Sequence, residues 1–452
     1  MNSNRRVLLF ITLSVGIFLL ASVAVYFYKV SWLPFNRVNL VSDVITTPPE
    51  PVKKIKDIKE DTVIAPIIVE EKPKEDFTLY QKPGFITDFS TDTNRSALEN
   101  FAKKLYDLKT GKKRKIRVAY FGDSMIEGDL LTQTLRKLLQ QTFGGDGVGF
   151  VPITSQVSKF RESAIADYSD GWDEDNFMQG KNRKLYLSGH SFHTSNAWVQ
   201  IRDQTIHDDS AIIEKSLLCG PVKKSVALTV NNKTISFSPD KPLNRIVMAR
   251  DYTRRIKLAL ADNQLPVYGV TFESDSGIFV DNFSFRGITG IEFAKVDSAF
   301  LHAIPDDNPY DLIVFQYGVN LMFRPNDQDF HWYSEMMLPV IRKMRNCFPE
   351  SDFIVVSTTD RAFRYNGEYK SAIGIDSLIK IQALLAYETN SSFYNQFATM
   401  GGPNSIVDWA ETKPTKARKD YVHPNPRGAE LLANYFYAAI INDYKKYEQS
   451  VK

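Results

Sequence analysis

Apolar and polar residues follow four successive rhythms along the chain. The first is an uncharged apolar run from Val7 to Tyr28, preceded by Arg5 and Arg6. Its length suits a bilayer span, which needs roughly 20 residues. Arginines at that end favour retention in the cytoplasm, so the remainder is expected outside. Residues 1–30 thus read as a cytoplasmic stub and an uncleaved transmembrane signal anchor. The competing reading is a cleavable signal peptide, with Ser22-Val23-Ala24 as the processing site. In both readings the chain is exported. The second rhythm is the absence of one: prolines and mixed charges from residue 44 to 77 mark a semi-extended tether, drawn here over 31–88.

From about residue 89 the pattern becomes regular. Leu98, Phe101, Ala102, Leu105 and Leu108 share one helical face that stops at Gly111. A strand is predicted at Ile116 to Phe121. Asp129 is placed to cap the helix carrying the stripe Leu131, Leu135, Leu138 and Leu139. The same alternation returns late, with strands "DLIVFQYG" and "FIVVS" between helices through "WYSEMMLPVIRKMRNCF" and "SLIKIQALLAYE", and a last helix through "GAELLANYFYAAIINDY". Continuous apolar strands alternating with helices imply an α/β fold whose parallel sheet is covered on both faces. Residues 151–284 break this pattern with short alternating runs such as "SVALTVNNKTISFS" and "RIKLALA", set off by turns at Asn231-Asn232 and Pro239-Asp240. They read as an inserted all-β domain of sandwich or jelly-roll type between catalytic segments 89–150 and 285–452.

Composition narrows the functional classes. The 56 basic and 53 acidic residues nearly cancel, to a net charge of +3, which gives no nucleic-acid surface. The only two cysteines, Cys219 and Cys347, exclude a cysteine-based metal site, and sequence leaves their pairing open. "HSFH" at 190–193 has ligand-like spacing without an acidic partner pattern, so no metal is expected. Trp172 and Trp198 in the β-rich segment are candidates for stacking on sugars, with core packing as the alternative.

The chemistry resides at strand ends. "IRVAYFGDSMIEGD" ends an apolar run in Gly122-Asp123-Ser124, which puts a serine at the carboxyl rim of the sheet, where ligands bind in such folds. "KDYVHPNPRG" sets Asp420 three residues before His423, ahead of a helix start. An imidazole there can take the serine proton if a carboxylate fixes its tautomer. "FQYGVN" ends a strand with Asn320, whose amide can donate to an oxyanion. "FRGITG" offers the backbone N–H of Gly290.

In this order the four blocks resemble the SGNH (GDSL-type) hydrolase superfamily over roughly residues 115–150 and 285–440. Met125 stands where that superfamily's popular name has leucine, and Arg286-Gly287 replaces the asparagine that usually precedes the second block. "FGDSMIEGDLLTQTLRKLLQQTFGGDGVGFVPI", "FATMGGPNSIVDW" and the long gap between Ser124 and Gly290 are similar to the exported peptidoglycan O-acetylesterase branch, which carries a β-rich insert there. The resemblance implies a three-layer α/β domain. It implies Ser124 as nucleophile, His423 as base, Asp420 as its orienter, and an oxyanion hole of Ser124, Gly290 and Asn320. It also implies cofactor-free removal of O-acetyl groups from an extracellular polysaccharide, peptidoglycan first, at the outer face of the cytoplasmic membrane. Three alternatives stay open: a polysaccharide O-acetyltransferase supplied by a membrane acyltransferase partner, a non-catalytic glycan-binding envelope protein, and a lipase or thioesterase.

Overall fold

A computed structural model describes residues 13–18 and 75–452, except 156, 180–183, 207, 262 and 263. Residues 13–18 form a helical segment, and the described residues from 75 to 452 belong to a separate compact unit. The rest of the expected span lies outside the described residues. Among the described residues, no helix is long and apolar enough to cross a membrane.

The strand order of the central sheet is Ile86–Thr87, Ser392–Tyr394, Asp352–Val356, Leu312–Gln316, Lys115–Gly122 and Gly277–Ser284. All neighbours are parallel except the first pair. Because side chains alternate across a strand, Val118 and Tyr120 face one side and Ala119 and Phe121 the other. The first side is covered by helices Glu99–Lys109, Leu130–Phe143 and Pro426–Ser450. The second is covered by Ser298–Asp307, His331–Cys347 and Ile375–Glu388. This double burial explains why the strands read as unbroken apolar runs.

Between these segments lie two antiparallel sheets packed on a common core. One has the order Lys233–Phe237, Val226–Val230, Arg255–Leu260, Ala197–Asp203 and Ala164–Tyr168; the other contains Asn244–Asp251, Ile213–Cys219, Val267–Ser274, His190–Thr194 and Trp172–Asn176, with Gly149–Val151 paired to Val267–Ser274. Val199, Ile201 and Leu258 of the first sheet share an apolar cluster with Leu217, Val270 and Phe272 of the second. The β-rich insert and the parallel sheet are joined by buried charge. Glu273, fully buried, takes Arg117 on both carboxylate oxygens at 3.0 and 2.6 Å, with Lys115 at 3.0 Å and Arg245 at 3.0 Å. Burial alone would raise this carboxyl, but the surrounding cations hold it well below the usual range.

Three sequence expectations are corrected, and the open question of the two cysteines is answered. Gly277–Ser284, assigned to the insert, is an edge strand of the parallel sheet, buried along all but its last residue. The tether was drawn to residue 88, yet Leu79 and Ile86 are buried in the folded unit and Ile86–Thr87 pairs with Ser392–Tyr394. Cys219 and Cys347 are separate, buried free thiols, each packed in a different apolar cluster. Asp129 occupies the cap position before Leu130–Phe143, but its side chain makes no cap hydrogen bond and turns to Arg136 instead.

Candidate active site

Lys115–Gly122 delivers Ser124 to the carboxyl rim of the sheet. Gly122 is required there by close approach: a Cβ would lie 2.9 Å from the Ile126 side chain and 3.0 Å from the Gln316 carbonyl oxygen. The chain then turns on Asp123, whose Oδ1 accepts the Met125 N–H at 2.9 Å. Ser124 is left half-buried on this turn.

The carboxyl-terminal segment brings the imidazole to it. His423 Nε2 lies 2.9 Å from Ser124 Oγ. On the other side of the ring, His423 Nδ1 lies 2.8 Å from Asp420 Oδ2. Asp420 Oδ1 also accepts the backbone N–H groups of Val422 and His423, each at 3.0 Å. Burial raises the Asp420 carboxyl, but these donors and the His423 ring outweigh it and leave it below its ordinary value. The segment is anchored just behind the ring. Asn425 caps Pro426–Ser450 by accepting the Gly428 N–H at 3.2 Å, and Pro426 fills the first turn where its missing N–H costs little.

Asn320 follows Leu312–Gln316. Its Nδ2 donates to Asp123 Oδ2 and to the Ile288 carbonyl, both at 3.0 Å. The side chain therefore ties the serine turn to the loop that carries Gly290. Gly290 has φ +92°, and a Cβ would meet the Tyr317 ring at 2.8 Å, so both backbone and space demand glycine. Among the described residues, the backbone N–H groups of Ser124 and Gly290 have no hydrogen-bond acceptor.

This geometry stands beside a likeness at the level of the whole fold. A solved peptidoglycan O-acetylesterase superposes with a TM-score of 0.66 at 21% identity, covering 78% of this chain and 98% of that one. The chain has the same fold as that esterase. A family two carbohydrate esterase from Cellvibrio japonicus aligns at TM-score 0.27 and 8% identity over 63% of this chain and 99% of its own. An acetyl xylan esterase from Geobacillus stearothermophilus aligns at TM-score 0.28 and 16% identity over 37% and 73%. Those two superpositions are too poor to add to the argument. No family model and no curated relative match the sequence.

Within this fold, the structure brings Ser124, His423 and Asp420 into one hydrogen-bonded line and ties Asn320 to the same turn. It shows Asn320 already using both amide hydrogens, so donation to a bound oxyanion requires release of one of them. Asp123 is the residue that sequence reasoning passed over. It is fully buried, it joins the Met125 N–H to Asn320, and burial pushes its carboxyl up to about 7 despite the opposing N–H groups of Met125 and Asp123 itself. It stood in the quoted Gly-Asp-Ser, where the serine alone was given a role.

The remaining sequence candidates lie in the insert. Trp172 donates its indole N–H to the Trp198 carbonyl at 3.2 Å, and Lys257 sits 4.6 Å over the Trp198 ring. These rings are engaged with the insert itself rather than set out as a stacking platform. His190 Nδ1 lies 2.9 Å from Glu174 Oε1. Among the described residues, no group of three or more His, Cys, Asp or Glu is placed to hold a metal ion.

Proposed function

We propose that this protein is a serine esterase that removes O-acetyl groups from a cell-envelope polysaccharide, with peptidoglycan as the favoured substrate. The observation that carries the reading is the line Asp420–His423–Ser124, with contacts of 2.8 and 2.9 Å at the carboxyl rim of the parallel sheet. His423 removes the Ser124 proton as Oγ attacks the acetyl carbonyl, and Asp420 holds the ring with Nε2 toward the serine. Negative charge developing on the acetyl oxygen is met by the Ser124 and Gly290 N–H groups and the Asn320 amide. Collapse expels the sugar hydroxyl, which takes its proton from His423. Water activated by the same ring then releases acetate and frees Ser124. The chain's likeness to a peptidoglycan O-acetylesterase across nearly all of that enzyme supports this choice of substrate.

In the same reading, the Arg5-Arg6 flank and the apolar run after it hold the enzyme at the cytoplasmic membrane, with the catalytic part outside. The test follows acetate release from O-acetylated peptidoglycan by the protein and its Ser124→Ala variant, with acetyl transfer to glycan oligomers measured in the same reactions. Release that disappears in the variant supports the esterase. Serine-dependent transfer without release replaces it with the acyltransferase. Equal release by both proteins removes the proposal.

A further inference from the structure

A cleft of about 370 Å³ opens beside the serine turn, between the catalytic segments and the β-rich insert. We propose that this cleft is a glycan subsite that takes a neutral sugar ring beside the acetylated one; the inference rests on the esterase reading for the substrate's nature. Two observations fix its place. The Phe285 N–H donates to the Gly122 carbonyl at 3.0 Å, so the cleft wall formed by Phe285 hangs from the same strand end as Ser124. Glu127, which also lines the cleft, follows Ser124 by three residues and so lies within about 11 Å of it along the chain. A glycan with its ester at Ser124 reaches this far with one or two further rings.

The chemistry of the walls selects the ligand. His190 stacks on Phe285 with ring centroids 4.8 Å apart, and its Nδ1 meets Glu174 Oε1 at 2.9 Å. Glu174 Oε1 also accepts Asn176 Nδ2 at 2.7 Å. On the catalytic side, Arg286 is paired with Glu127. Deeper in, Arg161 is paired with Asp129. Each cation in the walls already faces a carboxylate, so the cleft holds no strong bare charge to draw an anion. It presents planar polar groups beside an aromatic edge, the combination that a sugar ring with its hydroxyls and apolar C–H face requires. The stacking surface expected from Trp172 and Trp198 is thus supplied at the junction by His190 and Phe285.

The experiment measures binding by titration calorimetry on the full chain carrying Ser124→Ala, so that no turnover intervenes. The probes are disaccharide and tetrasaccharide fragments of peptidoglycan released by a muramidase. The tetrasaccharide is expected to bind at least tenfold more tightly than the disaccharide, and adding His190→Ala or Glu174→Gln is expected to erase most of that advantage. Thermal unfolding checks that each variant is folded, and the near-isosteric Glu174→Gln decides if His190→Ala is not. Equal affinity for the two lengths, absence of tetrasaccharide binding at millimolar concentration, or an advantage that survives Glu174→Gln overturns the subsite. Acetate release by the unsubstituted protein is recorded separately. Serine-dependent release without a length advantage removes only the subsite. A length advantage without serine-dependent release removes only the esterase.

Discussion

Arg136 is the deepest test of how the serine turn is held. Its side chain is fully buried, with Nη1 and Nη2 on the two oxygens of Asp129 at 2.8 and 3.0 Å. Nε and Nη2 also donate to the Val280 carbonyl at 2.9 and 2.7 Å, which satisfies an acceptor on the open side of the edge strand Gly277–Ser284. Asp129 sits at φ +66°, an uncommon conformation for a residue other than glycine, five residues after Ser124. Replacing Arg136 by leucine removes the cation and leaves a buried carboxylate and a buried carbonyl short of partners. Breaking one side of a buried pair costs about 3–5 kcal/mol. Arg161, Ser163 and Thr132 still reach Asp129, which places the expected loss toward the lower end, about 3 kcal/mol. Urea unfolding at neutral pH measures it, with Asp129→Asn and the double variant completing a cycle. The double variant is expected to recover about 1–2 kcal/mol relative to Arg136→Leu, because its buried partner no longer carries charge. Acetate release should fall further than the folded fraction, since the turn itself loosens. A loss below about 1 kcal/mol for Arg136→Leu, or strict additivity in the cycle, refutes the assigned role.

Three further outcomes are expected. Asp420→Asn should lower kcat by about 10²–10⁴-fold, since the ring loses the acceptor that sets its tautomer, and steady-state acetate release checks this. Asn320→Ala should lower kcat by about 10²–10³-fold with a smaller change in KM; a change confined to KM would place Asn320 in ground-state binding instead. The Asp123 carboxyl stands at about 7 in the folded chain against an ordinary 3.8. Between those values the folded form keeps a proton that the unfolded form has lost, so this group's contribution is full below about pH 4 and is lost as pH rises through 7. At 1.36 kcal/mol per unit the difference reaches about 4 kcal/mol at most. The stability gap between the unsubstituted protein and Asp123→Ala should therefore shrink from pH 4 to pH 8 in urea titrations, and a gap that widens contradicts the burial argument.

Much of the architecture was legible where one physical cause dominates. Leu312–Gln316 and Asp352–Val356 are buried on both faces, and their unbroken apolar runs said so. The stripe from Leu98 to Leu108 marked a helix found at Glu99–Lys109. Gly277–Ser284 was misassigned because "GIFVDNFS" carries Asp281 and Asn282 in the middle, which reads as a polar interruption. In the fold both are buried and partnered, Asp281 by the Phe150 N–H and Tyr310 Oη–H, and Asn282 by donating to the Ile126 carbonyl and Thr132 Oγ1. The residues before 89 looked like tether because their few apolar groups have no period. Leu79 and Ile86 are buried through contacts with distant segments, which no local pattern records.

The site shows the same division. Ser124, Asp420, His423 and Asn320 were legible because each stands at a strand end or a helix start with a residue type suited to one step of acyl transfer. The bridge from Asp123 to Asn320 spans 197 positions, and the pairing of Glu174 with His190 joins two strands of the insert. Neither has a local signature. The helix expected to be capped by Asp129 does begin there, but the carboxylate is drawn to the buried cation of Arg136 seven residues on.

The most direct test of the central claim is to catch the acyl-enzyme. The protein is mixed with an activated acetyl ester, quenched in acid within the first turnover and digested, and its peptides are weighed by mass spectrometry. The account predicts one added acetyl group on the peptide containing Ser124, absent from Ser124→Ala. Acetyl on another residue, or undiminished acetate release by Ser124→Ala, would contradict it.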